Sequence, residues 1–138
     1  MIREGSIRIP FAYAAGSAAS RFLVTLRDEG SILGSPCPAC GRVLCPARSF
    51  CPRCGQATGE PVVVGPAGSL VSFTETASGE VFGLVRLDGA DTAMLHRLVG
   101  NATPWAIGAR VRARLCAERE GRITDIEGFE AIGEASER

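Results

Sequence analysis

The chain has 138 residues, and its 15 basic groups, all of them arginine, balance 15 acidic groups. This length fits one or two small units and excludes a large catalytic domain. The absence of lysine excludes a lysine Schiff base, a lysine general base and a P-loop lysine. The balanced charge argues against a protein that binds nucleic acid by neutralising phosphates.

The first ten residues alternate charged and apolar side chains, and the longest apolar runs of the chain are too short to span a bilayer. We therefore expect neither a signal peptide nor a transmembrane segment. Six cysteines in such a chain indicate a reducing compartment, where cysteines at short spacing bind metal instead of forming disulfides. The sequence predicts a soluble cytoplasmic protein.

Residues 7–13 are predicted to be an extended arm, because Pro10 prevents a helix. At a period of two, one side of this arm is apolar. That side carries Ile7, Ile9, Phe11 and Tyr13.

A short amphipathic helix is predicted next, over residues 18–29, with Ser17 as its N-cap and Gly30 as its stop. Its apolar face holds Ala19, Phe22, Leu23 and Leu26.

Two nearly identical Cys-Pro-x-Cys-Gly motifs follow, and they begin at Cys37 and at Cys51. Each supplies a pair of thiolates from one tight turn, and two pairs complete the tetrahedral site that zinc prefers. The predicted zinc ligands are Cys37, Cys40, Cys51 and Cys54. Because four thiolates leave no open coordination position, this zinc should be structural. Iron in the same site, or two disulfides, are the alternatives.

From Ser69 onward the pattern changes to five short β runs, at residues 70–74, 81–87, 93–99, 111–116 and 122–126. Turn residues at 78–79, 88–89 and 120–121 predict hairpins, and a longer connection begins at Thr103. Five antiparallel strands with one long connection predict a small closed barrel of the OB type. The chain is therefore mainly β, with an arm and short helix (1–33), a rubredoxin-like zinc ribbon (34–64) and a five-stranded OB-fold barrel (65–138).

This order of parts resembles the zinc-ribbon/OB-fold proteins associated with acyl-CoA metabolism, long catalogued as a domain of unknown function. The resemblance spans nearly the whole chain. It rests on residues 13–22, on residues 34–43 with the first cysteine pair, on Arg48 and the second pair, on residues 68–74, and on residues 107–111. The chain departs from the family where many members read Pro-Pro-Arg, because here Pro46 is followed by Ala47 and Arg48.

The resemblance implies a non-catalytic companion of a separately encoded thiolase-type enzyme or related aldolase, which forms or cleaves carbon–carbon bonds on CoA thioesters. It implies that the ribbon and the helix are docking parts, and that the barrel lies near the path of the acyl-CoA. A hetero-oligomer with such an enzyme, and contact with its acyl-CoA, are therefore expected.

Three arginines, Arg110, Arg112 and Arg114, alternate with apolar residues and should share one face of a strand. They are candidate contacts for the phosphates of CoA. The alternative is a solvated face balanced by Glu118 and Glu120. Arg86 and Arg97, on neighbouring predicted strands, could extend the row.

Cys45 and Cys116 are interpreted as core side chains, although a fifth metal ligand or a redox thiol is the alternative for Cys45. His96, the sole histidine, could pair with Cys116 as a nucleophilic couple. The preferred interpretation is a strand histidine satisfied by the backbone, because the sequence nearby offers no orienting carboxylate or oxyanion donor.

Phe11, Tyr13 and Phe22 are candidate partner-binding residues, with packing on the ribbon as the alternative. For Trp105 two interpretations likewise remain, that it plugs the barrel or that it contacts a partner. Besides the accessory subunit, the sequence leaves open a nucleic-acid-binding module of the zinc-ribbon and OB type, and a stand-alone enzyme or iron electron carrier.

Overall fold

A computed structural model describes residues 1–101 and 104–133 of the chain. Thr103, where the long connection was predicted to begin, and residues 134–138 lie outside the described residues. The elements are α1 (Ser17–Glu29), β1 (Ile32–Pro36), β2 (Val43–Leu44), β3 (Val62–Val64), β4 (Ala67–Glu75), β5 (Val81–Leu87), β6 (Met94–Val99), β7 (Arg110–Leu115), the 3₁₀ helix η1 (Ile123–Asp125) and β8 (Ile126–Ala131). None of the helices in these ranges is long and apolar enough to cross a membrane.

The predicted helix is present, and its C-terminal stop is confirmed. Gly30 adopts a left-handed φ of 66° and donates its N–H to the carbonyl of Leu26 at 3.1 Å. The predicted N-cap is wrong, because Ser17 is the first helical residue and the cap is Gly16, at φ 84° and without a capping side chain. Phe22 and Leu26 are buried on the predicted apolar face.

The zinc-ribbon segment forms a three-stranded antiparallel sheet in the order β2-β1-β3. Strand β1 pairs with β2 through Ser35 and Leu44, and with β3 through Leu33 and Val63. Because β1 lies between β2 and β3, its first four residues are buried. This sheet fixes the chain on both sides of the cysteine motifs.

The remaining five strands close into a barrel in the order β4-β5-β6-β8-β7, which confirms the predicted barrel class. Strand β4 closes it by pairing with β7 at Gly68 and Val111. The prediction that all five strands are antiparallel is wrong, because β6 and β8 run parallel and pair through Leu98 and Phe129. Strand β7 pairs antiparallel with β4, and β8 pairs antiparallel with β7, so β8 lies beside β6 and runs in the same direction.

The last predicted strand, at residues 122–126, is misplaced, because it shares only Ile126 with β8 (Ile126–Ala131). Residues 123–125 form η1, and β8 begins at Ile126. The cause is the buried carboxylate of Asp125, which accepts the backbone N–H groups of Glu120, Gly121 and Arg122 at 3.0, 2.7 and 3.2 Å. These three bonds hold residues 120–125 in a tight turn and prevent an extended conformation there.

One hydrophobic core runs through the helix, the ribbon sheet and the barrel. Its members come from all three parts, for example Leu26 of α1, Ile32 of β1 and Val85 of β5. The core crosses the unit boundaries predicted at residues 33 and 64, and the division of the chain into three units remains a prediction.

Candidate metal centre and neighbouring surfaces

The two cysteine motifs fold into matching turns. The N–H of Gly41 donates to the carbonyl of Cys37, and that of Gly55 donates to the carbonyl of Cys51, both at 2.8 Å. Both glycines have a φ of 72°, a left-handed conformation that side chains resist. The repeated sequence therefore forms the same turn twice, and each turn presents one pair of thiols.

The four predicted ligands meet at one point. Their Sγ atoms all lie within 4.8 Å of one another, with 3.3 Å between Cys37 and Cys54 and 3.7 Å between Cys40 and Cys51. The first member of each pair, Cys37 and Cys51, is buried at 1 % exposure, whereas Cys40 and Cys54 face the solvent. One side of the centre is thus packed against Leu44 and the other is open.

Backbone N–H groups prepare the buried thiols for ionisation. The N–H of Cys54, with that of Arg53, lowers the pKa of Cys51 to about 6, and the N–H of Cys40 lowers the pKa of Cys37. The N–H of Gln56 favours the thiolate of Cys54 as well, but contact with Cys37 and burial raise the pKa of Cys54 to about 11. Binding of a metal ion overrides such differences, because each thiol that coordinates gives up its proton.

Four thiolates at these distances fit zinc, which accepts soft sulfur ligands in a tetrahedron. The prediction of a structural zinc is confirmed, and the four predicted ligands are brought together by the fold. A tetrathiolate site has no open position for water or substrate, so its chemistry is to hold the ribbon together.

The other two cysteines lie apart from the metal centre. Cys45 is in the core, and burial raises the pKa of its thiol to about 12, so this thiol stays protonated and unreactive. Cys116 is partly buried, and its Sγ donates to the carbonyl of Thr124 at 3.4 Å.

His96 is satisfied by the backbone, as the preferred interpretation expected. Its Nδ1 accepts the N–H of Arg97 at 2.8 Å, and its Nε2 lies 3.2 Å from the carbonyl of Ile123. These two bonds fix the proton on Nε2 and leave no free ring nitrogen to take a proton from Cys116. The arrangement is not that of a nucleophilic pair.

The three arginines of β7 are not equivalent. Arg110 forms a two-pronged ion pair with Asp88, with Nη1 and Oδ1 2.8 Å apart. Arg114 binds Glu127 at 2.9 Å and Glu130 at 3.3 Å. The ion pairs within residues 1–101 and 104–133 do not include Arg112, which is exposed. The partners are Asp88, in the turn after β5, and two carboxylates of β8, and not Glu118 and Glu120, which the sequence suggested.

Strand register decides which other arginines share this face. Ser69 of β4 pairs with Arg110 on one side and with Arg86 on the other, so Arg86 extends the row. Arg97 lies on β6, which does not pair with β7. It is the strand partner of Phe82 in β5, and its side chain binds Glu80 at 2.9 Å. Arg97 therefore belongs to a different part of the barrel surface.

The structure divides the predicted partner-binding residues. Phe11 and Tyr13 are 81 % and 78 % exposed and stack with a centroid distance of 6.2 Å. Phe22 is only 2 % exposed, because its position on the apolar face of α1 turns it into the core, and it cannot offer its side chain to a partner. Trp105 is partly buried and packs against the core, as the plug interpretation expected.

Sequence reasoning missed an apolar stretch on the barrel surface, formed by Phe82, Leu84 and Leu95. Its signal was present in β5, where Phe82 and Leu84 occupy the alternate positions that face outward. Because β5 is apolar on both faces, its periodicity does not distinguish an outer side from an inner one.

The comparisons with known proteins agree with this geometry. Residues 25–58 match the family described as ChsH2, rubredoxin-like zinc ribbon domain. A DUF35 family protein of unknown function from Sulfolobus solfataricus is similar at 27 % identity and a TM-score of 0.58, over 71 % of this chain and 78 % of that one.

A second solved structure, described as the Ltp2-ChsH2(DUF35) aldolase, is similar in fold at 21 % identity and a TM-score of 0.58. The match covers 86 % of this chain and 98 % of that chain. The comparison with curated proteins found no similar sequence. The chain thus carries a zinc ribbon of the ChsH2 type followed by a closed five-stranded barrel, and in this architecture it resembles DUF35 proteins, which confirms the resemblance predicted from its sequence.

Proposed function

We propose that the chain is a non-catalytic accessory subunit, which docks on a thiolase-like enzyme or an aldolase and helps to form or stabilise its acyl-CoA site. The observation that carries this proposal is the shared ribbon-and-barrel architecture with a structure described as the Ltp2-ChsH2(DUF35) aldolase, over 98 % of that chain. A chain of the same build takes part there in an enzyme assembly.

The N-terminal arm supports docking. Its four apolar side chains, Ile7, Ile9, Phe11 and Tyr13, are between 72 % and 87 % exposed. Apolar residues at this density are costly in water and are typical of surfaces that another protein covers. In the accessory role, Phe11 and Tyr13 are aromatic anchors that the enzyme buries.

The chemistry of the described residues supports a subunit that supplies no catalytic group. The zinc is closed by four thiolates, Cys45 is buried, and both ring nitrogens of His96 are engaged by the backbone. In this proposal the partner enzyme performs the carbon–carbon bond chemistry.

Arg112 is the best placed of the three β7 arginines for the phosphates of CoA, because it is exposed and carries no ion pair to another described residue. Arg110 and Arg114 can contribute if phosphate replaces their carboxylate partners, since a guanidinium binds both anions with the same fork geometry. In the accessory role, the three β7 arginines contact CoA at the edge of the enzyme's site.

The test is affinity purification of the tagged chain from its own cells, with the co-purifying proteins, metal and RNA identified. We expect a near-stoichiometric thiolase-like enzyme or aldolase. The double variant Phe11→Ala, Tyr13→Ala should lose most of this enzyme, whereas Ile107→Ala, which changes an apolar side chain that is 72 % exposed elsewhere, should retain it. Recovery of RNA without an enzyme would replace the accessory role by the nucleic-acid-binding alternative.

The role of the arginine row is tested in the assembled enzyme. Changing Arg110, Arg112 and Arg114 together to alanine should raise the apparent KM for the acyl-CoA. Arg122→Ala, which removes an exposed arginine side chain outside the row, is the control. An unchanged KM would remove CoA contact from the proposal and leave docking standing.

A further inference from the structure

A cavity of about 410 Å³ opens through the barrel wall, between β6 and the segment that contains η1. We propose that this wall cavity binds a hydrocarbon chain or ring. It exists because β6 and β8 pair only near Leu98 and Val99, so that the two strands separate toward the start of β6. The insertion of η1 before β8 widens this separation.

The surface that a ligand would touch is apolar. Ile126 is fully buried, whereas Leu95 and Ile123 are 65 % and 40 % exposed. Phe82 of β5 also lines the cavity. A volume of this size falls within the range of small-molecule sites, which proteins line mainly with such residues.

The ionisable side chains of the cavity are already paired within the protein. Both nitrogens of His96 are engaged by the backbone, and the thiol of Cys116 donates to a carbonyl. Arg97 is held by Glu80, and Glu127 by Arg114, each at 2.9 Å. Among the described residues a ligand therefore finds van der Waals contact here and no free charge, which selects an uncharged hydrocarbon group.

The same pairing argues against a phosphate in the cavity. Arg97 is the guanidinium that lines it, and an anion there would have to displace Glu80 while lying near Glu127. The ligand chemistry is thus shared by a free lipid-like molecule and by the acyl part of a thioester. This inference concerns the chain alone and does not depend on an enzyme partner.

The chain carries its own reporter, because His96 is its single histidine and lines the cavity. The experiment follows the imidazole ring protons of the full chain by NMR during titration with n-octanol, octanoyl-CoA and CoA. We expect saturable shifts with octanol and octanoyl-CoA, and none with CoA. The indole N–H of Trp105, the single tryptophan, reports on a separate cavity at the end of the barrel.

A matched pair of variants locates the binding. Leu95→Gln and Val63→Gln each change an apolar strand residue, of 65 % and 64 % exposure, but only Leu95 lines the cavity. Loss of the leucine contact should weaken octanol binding on the order of tenfold. Val63→Gln should bind as the unchanged protein does. Because both side chains are largely exposed, both variants should fold.

Three results would overturn the proposal. The first is the absence of a saturable His96 shift with octanol, or a shift confined to Trp105. The second is unchanged binding in Leu95→Gln. The third is an equal response to CoA alone, which would assign recognition to the nucleotide. Octanol binding in a chain that purifies without an enzyme would uphold the cavity and contradict the accessory role.

Discussion

At the scale of single residues, Asp125 shows how one buried carboxylate redirects the chain. Burial disfavours its charged form, but the N–H groups of Glu120, Gly121 and Arg122 outweigh this and hold the pKa of Asp125 below its ordinary value. The carboxylate is therefore charged in the native protein and stabilises the turn that delays β8.

The first prediction concerns Asp125. Asp125→Ala should lower the free energy of unfolding by about 2 kcal/mol at neutral pH, because the buried N–H groups lose a charged acceptor. Since the folded pKa is lowered, this contribution is present above the unfolded pKa of about 3.9 and is lost as the pH falls through the folded pKa. Urea unfolding of the unchanged protein and of Asp125→Ala, compared at pH 7 and at lower pH as long as zinc stays bound, measures both effects.

Glu118→Ala, which removes an exposed carboxylate from the same region, is the control for Asp125 and should leave stability nearly unchanged. If Asp125→Ala and Glu118→Ala unfold at the same urea concentration, the three backbone bonds do not hold the turn.

The second prediction separates two phenylalanines. Phe22→Ala should lower the free energy of unfolding by about 3 to 5 kcal/mol, because it leaves a cavity in the core. Phe11→Ala should leave stability unchanged, because its ring is 81 % exposed, but should weaken binding to the enzyme partner. Thermal unfolding and partner affinity are measured for both. A loss of stability in Phe11→Ala would show that the arm packs on its own protein.

At the scale of elements, the zinc ribbon depends on two matching turns and a small sheet. Strand β1 has five residues, β2 two and β3 three. Sheets this small seldom hold by themselves. The metal joins the two turns, so the strands and the zinc of the ribbon stabilise each other.

The third prediction is that Cys51→Ser abolishes stoichiometric zinc binding and destabilises the ribbon sheet. Zinc content and amide hydrogen exchange in β1 and β3 measure the effect, and exchange there should approach that of an unfolded segment. Cys116→Ser, a cysteine change outside the centre, should retain one zinc per chain. If the β1 amides of Cys51→Ser stay protected from hydrogen exchange although zinc is absent, the ribbon sheet does not depend on the metal.

At the scale of the whole molecule, the ribbon and the barrel share one core. Leu26 and Ile32 on one side and Val85 and Phe129 on the other belong to the same cluster. Arg119, which follows β7, donates its Nε to the carbonyl of Arg27 in α1 at 3.0 Å. The helix thus connects the metal-bearing part to the barrel.

The fourth prediction follows from this shared core. The protein should unfold in one cooperative transition, with zinc release and the fluorescence change of Trp105 in the barrel occurring at the same temperature. Chelation of the zinc should therefore lower the temperature at which the barrel unfolds. Zinc release well before the Trp105 transition would show that the ribbon unfolds as a separate unit.

The amino-acid sequence by itself determined the features that depend on short spacings. Two cysteine pairs in identical turns specify a tetrathiolate zinc site, because all the information lies within eighteen residues, from Cys37 to Cys54. The apolar face of α1 and the order of the β runs follow from local periodicity in the same way, and together they predicted the ribbon-and-barrel architecture.

Tertiary structure alone decided the pairings between distant residues. Periodicity assigns Phe11 and Phe22 each to an apolar side, but only the position of α1 against β1 buries one and leaves the other exposed. The parallel pairing of β6 with β8, the wall cavity that opens where these strands separate, and the carboxylate partners of Arg110 and Arg114 have the same origin. Each depends on which strands become neighbours when the barrel closes, and local sequence does not encode that choice.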